Sequence, residues 1–263
     1  MLEATGLSLR YGATVILDEV GFSLGSGEVV ALIGPNGAGK STLLACLSGA
    51  LRADHGRVRM DGADPARLRP AELALRRAVL EQTPAISAPF RVGELIGLAL
   101  PREIPPRRAD QLVGRASEAL GLSDLLARRV SQLSGGEHHR AHMARVLAQL
   151  WAGQEMGGGR WLLLDEPTAS LDLAHQNAVL LAARVAAKEG AGVLAVLHDL
   201  TLAAAVADRI VLMHRGRIVA NGTAKETLTP EILSSVYGVD VWAGEVAPSV
   251  FSVTPLFVRN EET

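Results

Sequence analysis

Glycines surround a lysine in the part of the chain whose chemistry is clearest. They follow an apolar stretch of strand length, residues 28–33, and precede a helical pattern over residues 41–47. Glycines let backbone N–H groups turn towards phosphate oxygens, and a helix beginning near Gly39 presents its positive dipole end to them. We expect Lys40 to bind the β- and γ-phosphates of a nucleotide and Ser41 to bind Mg²⁺. The predicted phosphate loop comprises Gly34, Pro35, Asn36, Gly37, Ala38, Gly39, Lys40, Ser41 and Thr42.

Two carboxylates follow a second apolar strand, residues 161–164. Asp165 and Glu166 should reach the carboxyl edge of the sheet, where ligands of open α/β folds bind. Asp165 suits Mg²⁺, usually held through water, and Glu166 suits polarising the water that attacks the γ-phosphate. A helix-capping acidic pair is the alternative, and the presence of Lys40 makes it the weaker one.

A histidine ends another apolar strand, residues 192–197. His198 is predicted to reach the same sheet edge, where it would hydrogen-bond the γ-phosphate and the attacking water. A purely structural histidine is the alternative interpretation.

A second glycine-containing turn lies far downstream, at residues 133–137, here called the signature segment. Ser134, Gly135, Gly136 and Glu137 open a helical run and so form another anion-binding helix start. The chain nevertheless has one phosphate loop.

Composition limits the class of protein. With 263 residues, 48% of them apolar, the chain suits one large α/β domain or one domain with a smaller subdomain. We expect the single cysteine, Cys46, to be a buried core residue, and a chain without disulfides suits a reducing cytoplasm. The net charge of -2, dispersed arginine pairs and 3% aromatic residues disfavour a nucleic-acid partner. The apolar runs are strand-sized, and we expect neither a membrane span nor a secretory leader.

The elements that position these residues fall into three groups. Residues 6–11, 15–17 and 56–60 predict an antiparallel layer. Residues 84–141, with prolines and then helical periodicity, predict a helical subdomain. Apolar strands alternate with helices afterwards, as in a parallel α/β sheet, and residues 209–213 and 217–220 predict a hairpin.

The motifs together resemble those of ATP-binding cassette ATPases, and the likeness covers nearly the whole chain. Residues 34–42 resemble Walker A, 133–137 the signature motif, and 162–166 Walker B. His198 matches the switch histidine. The resemblance implies an α/β P-loop NTPase core of ABC ATPase type, with an antiparallel β subdomain and an inserted helical subdomain. It would be a single domain: residues 1–83 and 142–263 form the core, and residues 84–141 the signature subdomain.

The resemblance also implies roles that spacing alone does not. Gln82 matches the glutamine loop and would touch Mg²⁺ or the attacking water. Asp172 belongs to the D-loop, and Tyr11 matches the aromatic residue that stacks on adenine. It further implies a head-to-tail homodimer, in which the signature segment of each subunit closes over ATP held by the other.

The finer resemblance is to the ATPases of bacterial importers for haem, with those for iron-siderophore and vitamin B12 close behind. It implies an ATP- and Mg²⁺-dependent peripheral subunit at the cytoplasmic face of the inner membrane, with a permease dimer and a periplasmic binding protein as partners. A permease helix would seat near Gln82 and the segment after it. The likeness includes a glycine-bearing insertion before Trp161 and residues 81–82, 144–151, 172–176, 198–204, 229–233 and 237–240.

Two departures from these importers stand out. His138 and His139 replace two glutamines after the signature segment, and Ala169-Ser170 reverses the usual D-loop order. His138 could still donate towards ribose or phosphate. A metal site of His138, His139 and His142 is disfavoured, because adjacent histidines point to different sides of a helix.

Other function classes remain as alternatives. A DNA-repair ATPase of the same superfamily would need a long coiled-coil insertion between Gln82 and Ser134, where about fifty residues lie. A translation-associated relative carries two such domains in tandem, and a P-loop kinase or GTPase lacks the signature segment. A non-catalytic regulatory binding module is the remaining alternative.

Overall fold

A six-stranded sheet forms the centre of the protein. The computed structural model describes residues 1–82, 89–247 and 250–256. The strand order is β5-β6-β7-β3-β8-β9, parallel except for β9, which is antiparallel to β8. The predicted α/β class is therefore confirmed. The strands are β3 (Val29–Ile33), β5 (Arg77–Leu80), β6 (Trp161–Asp165), β7 (Gly192–Val196), β8 (Arg209–His214) and β9 (Arg217–Gly222).

Both faces of this sheet are covered. Every residue of β3, β6 and β7 is buried, which explains why these strands read as unbroken apolar runs. Because side chains alternate along a strand, Val29, Ala31 and Ile33 join one hydrophobic cluster while Val30 and Leu32 join the other. The sheet therefore holds the loops at its carboxyl edge between two packed layers.

An antiparallel sheet covers one face, as predicted. Its order is β2-β1-β4. The predicted hairpin between β8 and β9 is also present, and its two-residue turn places Arg215 and Gly216 at positive φ. The covering strands are β1 (Leu2–Tyr11), β2 (Thr14–Leu24) and β4 (His55–Met60).

Nine α-helices lie within the part of the chain that the structure describes. Helix α5 runs without interruption through residue 141, the predicted boundary between helical subdomain and core, so one helix belongs to both; the division itself remains a prediction. Cys46 is buried in α1, as expected, and burial raises the pKa of its thiol to about 11. The helices are α1 (Lys40–Ser48), α2 (Pro70–Arg76), α3 (Val92–Gly97), α4 (Pro106–Ala119), α5 (Gly135–Glu155), α6 (Leu173–Lys188), α7 (Leu200–Val206), α8 (Ala224–Thr227) and α9 (Pro230–Tyr237).

A C-terminal hairpin, which the sequence did not predict, packs against α7. Its strands are β10 (Val241–Ala247) and β11 (Val250–Pro255), and the Val253 N–H donates to the Thr201 hydroxyl. Across residues 1–82, 89–247 and 250–256, no helix has both the length and the apolarity that a bilayer crossing requires.

Candidate active site

The phosphate loop joins β3 to α1, as predicted, and two of its positions require glycine. Gly34 has φ 145°, and a Cβ there would stand 2.2 Å from the Met213 carbonyl oxygen. Gly39, the residue before α1, has φ 100°, and a Cβ there would meet the Ile16 carbonyl oxygen at 2.7 Å. Strands β2 and β8 therefore contact the loop from two sides and leave no room for larger residues.

Lys40 is folded into this loop. It is the first residue of α1 and is 6% exposed, with its Nζ donating to the carbonyl oxygens of Gly34 at 2.7 Å and Pro35 at 2.9 Å. Burial lowers the pKa of the ammonium, and the nearby carboxylates of Glu166 and Asp165 oppose that shift. The positive charge thus lies inside the loop that was predicted to bind phosphate.

Asp165 meets the loop from the end of β6. The Ser41 hydroxyl donates to Asp165 Oδ1 at 3.1 Å. Burial raises the pKa of Asp165, while this hydrogen bond opposes the rise. A buried carboxylate beside a hydroxyl is an oxygen donor set of the kind that Mg²⁺ prefers, so these two residues fit the predicted metal ligation.

Glu166 follows in an uncommon backbone conformation, with φ 51°. Its Oε1 lies 2.6 Å from Nε2 of His198, which comes two residues after the end of β7. Positive φ at a residue other than glycine persists where the surrounding structure holds it, and such positions cluster at functional sites. The structure therefore brings the predicted base and the predicted switch histidine into direct contact.

An open groove of about 190 Å³ lies between the phosphate loop and Glu166. Ile16 of β2 also lines the groove, although the sequence did not single it out. The sequence feature that could have indicated Ile16 was its place in an alternating strand next to the glycine-rich loop. The predicted residues that line the groove are Asn36, Gly37, Ala38, Gly39, Lys40, Ser41, Thr42 and Glu166.

The signature segment stands apart from this groove. Ser134 is the N-cap of α5: its hydroxyl accepts from the Glu137 N–H, and the Glu137 carboxylate accepts from the Ser134 N–H. This bond from the Ser134 backbone holds the pKa of Glu137 below its usual range. Within the described part of the chain, no hydrogen bond or ion pair joins residues 134–137 to residues 34–42. Within one chain, the phosphate loop and the helix start at Ser134 therefore form separate anion-binding sites.

Three further predicted residues lie on loops or turns. Gln82 is exposed and follows β5, which pairs in parallel with β6, so it lies at the same sheet edge as Asp165. Asp172 caps α6 by accepting from the His175 N–H. Tyr11 is 58% exposed at the tip of the β1–β2 hairpin. Their contacts with nucleotide remain predictions.

His139 makes a contact that the sequence did not predict. Its Nε2 lies 2.7 Å from the carbonyl oxygen of Pro167, the residue after Glu166. A carbonyl can only accept, so Nε2 carries the proton and donates. Two histidines in place of glutamines marked this position as unusual, but the partner, 28 residues away, depends on tertiary packing.

His142, one turn further along α5, gives a prediction about pH. It is fully buried, and neither ring nitrogen has a hydrogen-bond partner among the residues that the structure describes. Burial, together with the neighbouring charges of His138 and Arg145, lowers its pKa to about 4. The His142 imidazole therefore binds a proton near pH 6.5 in the unfolded chain but only near pH 4 in the folded chain. The free energy of unfolding consequently falls as the pH drops from 6.5 towards 4. Replacing His142→Leu should remove about 2 kcal/mol of the stability lost between pH 7.5 and pH 5. Urea unfolding at both pH values measures this, and parallel pH curves for the two proteins would contradict it.

Comparisons with known proteins bear on this geometry. The family model for the ABC transporter matches residues 17–169. The hemin import ATP-binding protein HmuV of Rhodopseudomonas palustris strain HaA2 is 43% identical over 240 residues, covering 91% of this chain and 91% of that protein. HmuV of Pseudomonas fluorescens strain Pf0-1 is 46% identical over 242 residues, covering 92% and 94%. A solved ATP-binding cassette of an ABC transporter, 27% identical, matches with a TM-score of 0.75 over 90% of this chain and 98% of its own.

The matched region includes the phosphate loop, the signature segment and both carboxylates. The resemblance inferred from the motifs is thereby confirmed. This chain belongs to the ABC transporter family, as one of its ATP-hydrolysing subunits.

Proposed function

We propose that this chain is the ATP-hydrolysing, energy-coupling subunit of a bacterial importer for haem. The groove between the phosphate loop and Glu166 is the observation that carries the hydrolytic role. The cargo is supported by the two relatives, which are named for hemin import and match over nine-tenths of this chain.

The phosphate loop and Lys40 bind the phosphates of ATP. Lys40 Nζ already donates to two loop carbonyls, so it is directed into the loop, and phosphate oxygens would replace those acceptors. Ser41 and Asp165 would hold Mg²⁺, with Gln82 near it at the same sheet edge. When bound, Mg²⁺ supplies neutralisation of the charge that develops on the phosphate oxygens.

Glu166 accepts a proton from the attacking water and thereby generates the nucleophile. His198, 2.6 Å from its carboxylate, orients that side chain and donates towards the γ-phosphate. The tight turn after β6 sets the direction of Glu166, since its φ of 51° aims the side chain differently from an extended continuation of the strand.

A homodimer completes the site. Ser134 and Gly135 are exposed and separate from the phosphate loop of their own chain, which suits contact with ATP held by a partner subunit. A two-fold arrangement makes the two composite sites equivalent. Asp172 and Tyr11, both exposed, would contribute to the interface and to adenine stacking.

A permease dimer in the inner membrane is the second partner. The chain would act peripherally at the cytoplasmic face, with a periplasmic binding protein delivering cargo on the other side. Gln82 is described, but residues 83–88, which begin the segment we predict to seat a permease helix, lie outside the described residues.

Reconstitution with the co-purifying permease tests the cargo. We expect the ATPase rate to rise when the substrate-binding protein is loaded with haem, and to stay at its basal value when it is loaded with ferric siderophore or cobalamin. The matched control is the same complex carrying Glu166→Gln, in which haem-loaded binding protein should produce no rise.

Stimulation by the siderophore-loaded or cobalamin-loaded protein alone would overturn the haem assignment and leave the hydrolytic role intact. Failure to co-purify with a polytopic membrane protein, together with ATPase activity that does not depend on one, would favour an ABC ATPase outside transport. Absence of hydrolysis in the complete complex would favour a regulatory binding module.

A further inference from the structure

His139 links two parts of the site that act on different nucleotides. It lies in the first turns of α5, the helix whose N-cap is Ser134, and its side chain donates to the carbonyl of Pro167. In the proposed dimer the signature segment faces ATP on the partner, whereas Glu166 acts on ATP held by its own chain. The hydrogen bond therefore spans from one composite site towards the other.

The segment that receives this bond combines uncommon backbone conformations with long internal hydrogen bonds. Residues 166–172, here called the base turn, contain two non-glycine residues at positive φ, Glu166 at 51° and Ser170 at 61°. Its internal backbone hydrogen bonds are long: the Ala169 N–H donates to the Glu166 carbonyl at 3.2 Å, and the Leu171 N–H donates to the Thr168 carbonyl at 3.3 Å. Conformations of this kind need outside support to persist.

The start of α5 supplies that support at more than one point. A Cβ on Gly136 would stand 3.4 Å from Cδ2 of Leu171, so the signature helix packs against the buried side chain of the base turn. The His139 bond is 2.7 Å long, and within residues 1–82, 89–247 and 250–256 no other hydrogen bond reaches the buried Pro167 carbonyl. A half-buried hydrogen bond of this kind fixes one end of the base turn to the helix.

We propose that His139 is a positioning residue for hydrolysis: its bond to Pro167 holds the base turn against the signature helix, so that seating of this helix on the partner's nucleotide is transmitted to Glu166. The inference rests on the proposed dimeric site. It assigns His139 no contact with nucleotide and no part in proton transfer.

A double-mutant cycle on the full chain in complex with its permease tests the coupling. We expect His139→Leu, which removes the donor, to lower kcat by about 10- to 100-fold with KM for ATP little changed, because the base loses its alignment. His139→Gln, which keeps an N–H donor of similar reach, should restore kcat to within about threefold of wild type. Adding His139→Leu to Glu166→Gln should lower the residual rate by less than about threefold, because the first change acts through the second residue.

His55→Leu is the matched control, since it removes an exposed histidine from β4 and should leave kcat unchanged. Thermal unfolding of each variant identifies loss of folded protein. Independent, multiplicative losses in the double variant, or equal kcat for His139→Leu and wild type, would overturn the proposal. So would a His139→Gln variant as slow as His139→Leu. The cycle measures ATP hydrolysis and does not depend on the cargo. Its result can therefore be interpreted even if haem-dependent stimulation fails.

Discussion

Glu166→Gln should lower kcat for ATP hydrolysis by ~10²-fold or more while ATP binding stays within about twofold of wild type. The amide has the size of the carboxylate and can keep its place beside His198, but it cannot take a proton from water. The side chain stands at the groove and not among the loop donors, so binding to Lys40 and the loop amides should persist.

Steady-state hydrolysis and equilibrium binding of a fluorescent ATP analogue measure the two quantities separately. Glu118→Gln is the matched control, because Glu118 is an exposed carboxylate of α4 far along the chain from the site. A Glu166→Gln protein that hydrolyses ATP at the wild-type rate would remove Glu166 from the role of base.

Ser134→Arg should abolish both hydrolysis and ATP-dependent dimerisation, yet leave ATP binding to the single chain. Ser134 is exposed at the start of α5, and a long cationic side chain there would occupy the space that a partner's nucleotide must enter. Loss of the Ser134 cap costs helix stability of about 1 kcal/mol, which is too little to unfold a domain of this size.

Light scattering with ATP, in a Glu166→Gln background that preserves the nucleotide, measures the dimer. Ser123→Arg is the control that should still dimerise, because Ser123 is also exposed but lies in a short turn between α4 and α5, away from the N-cap of α5. An active but monomeric Ser134→Arg protein would refute the composite site.

Residues at the ends of apolar runs were the most predictable part of the site. Asp165 is the last residue of β6 and His198 comes two residues after β7; both strands are buried on both faces and are visible as uninterrupted apolar runs. Glycine spacing predicted the phosphate loop for a similar reason, since positive φ and close backbone contact restrict Gly34 and Gly39 to glycine.

Elements that depend on distant packing were less predictable. Strand β5 has four residues and begins with Arg77, so its short pattern does not differ from that of a helix end. The β10–β11 hairpin is half exposed and has little apolar alternation. His139 carries no local pattern that names Pro167 as its partner. In each case the deciding contact is tertiary.

The two carbonyl acceptors of Lys40 have a consequence for product release. A buried ammonium group whose only acceptor was phosphate would be left uncompensated when phosphate departs. Here Lys40 Nζ has acceptors from Gly34 and Pro35 within its own loop, so a departing phosphate does not leave an unpaired buried charge behind. The barrier to losing ADP and phosphate is correspondingly lower, which favours repeated turnover over tight retention of the spent nucleotide.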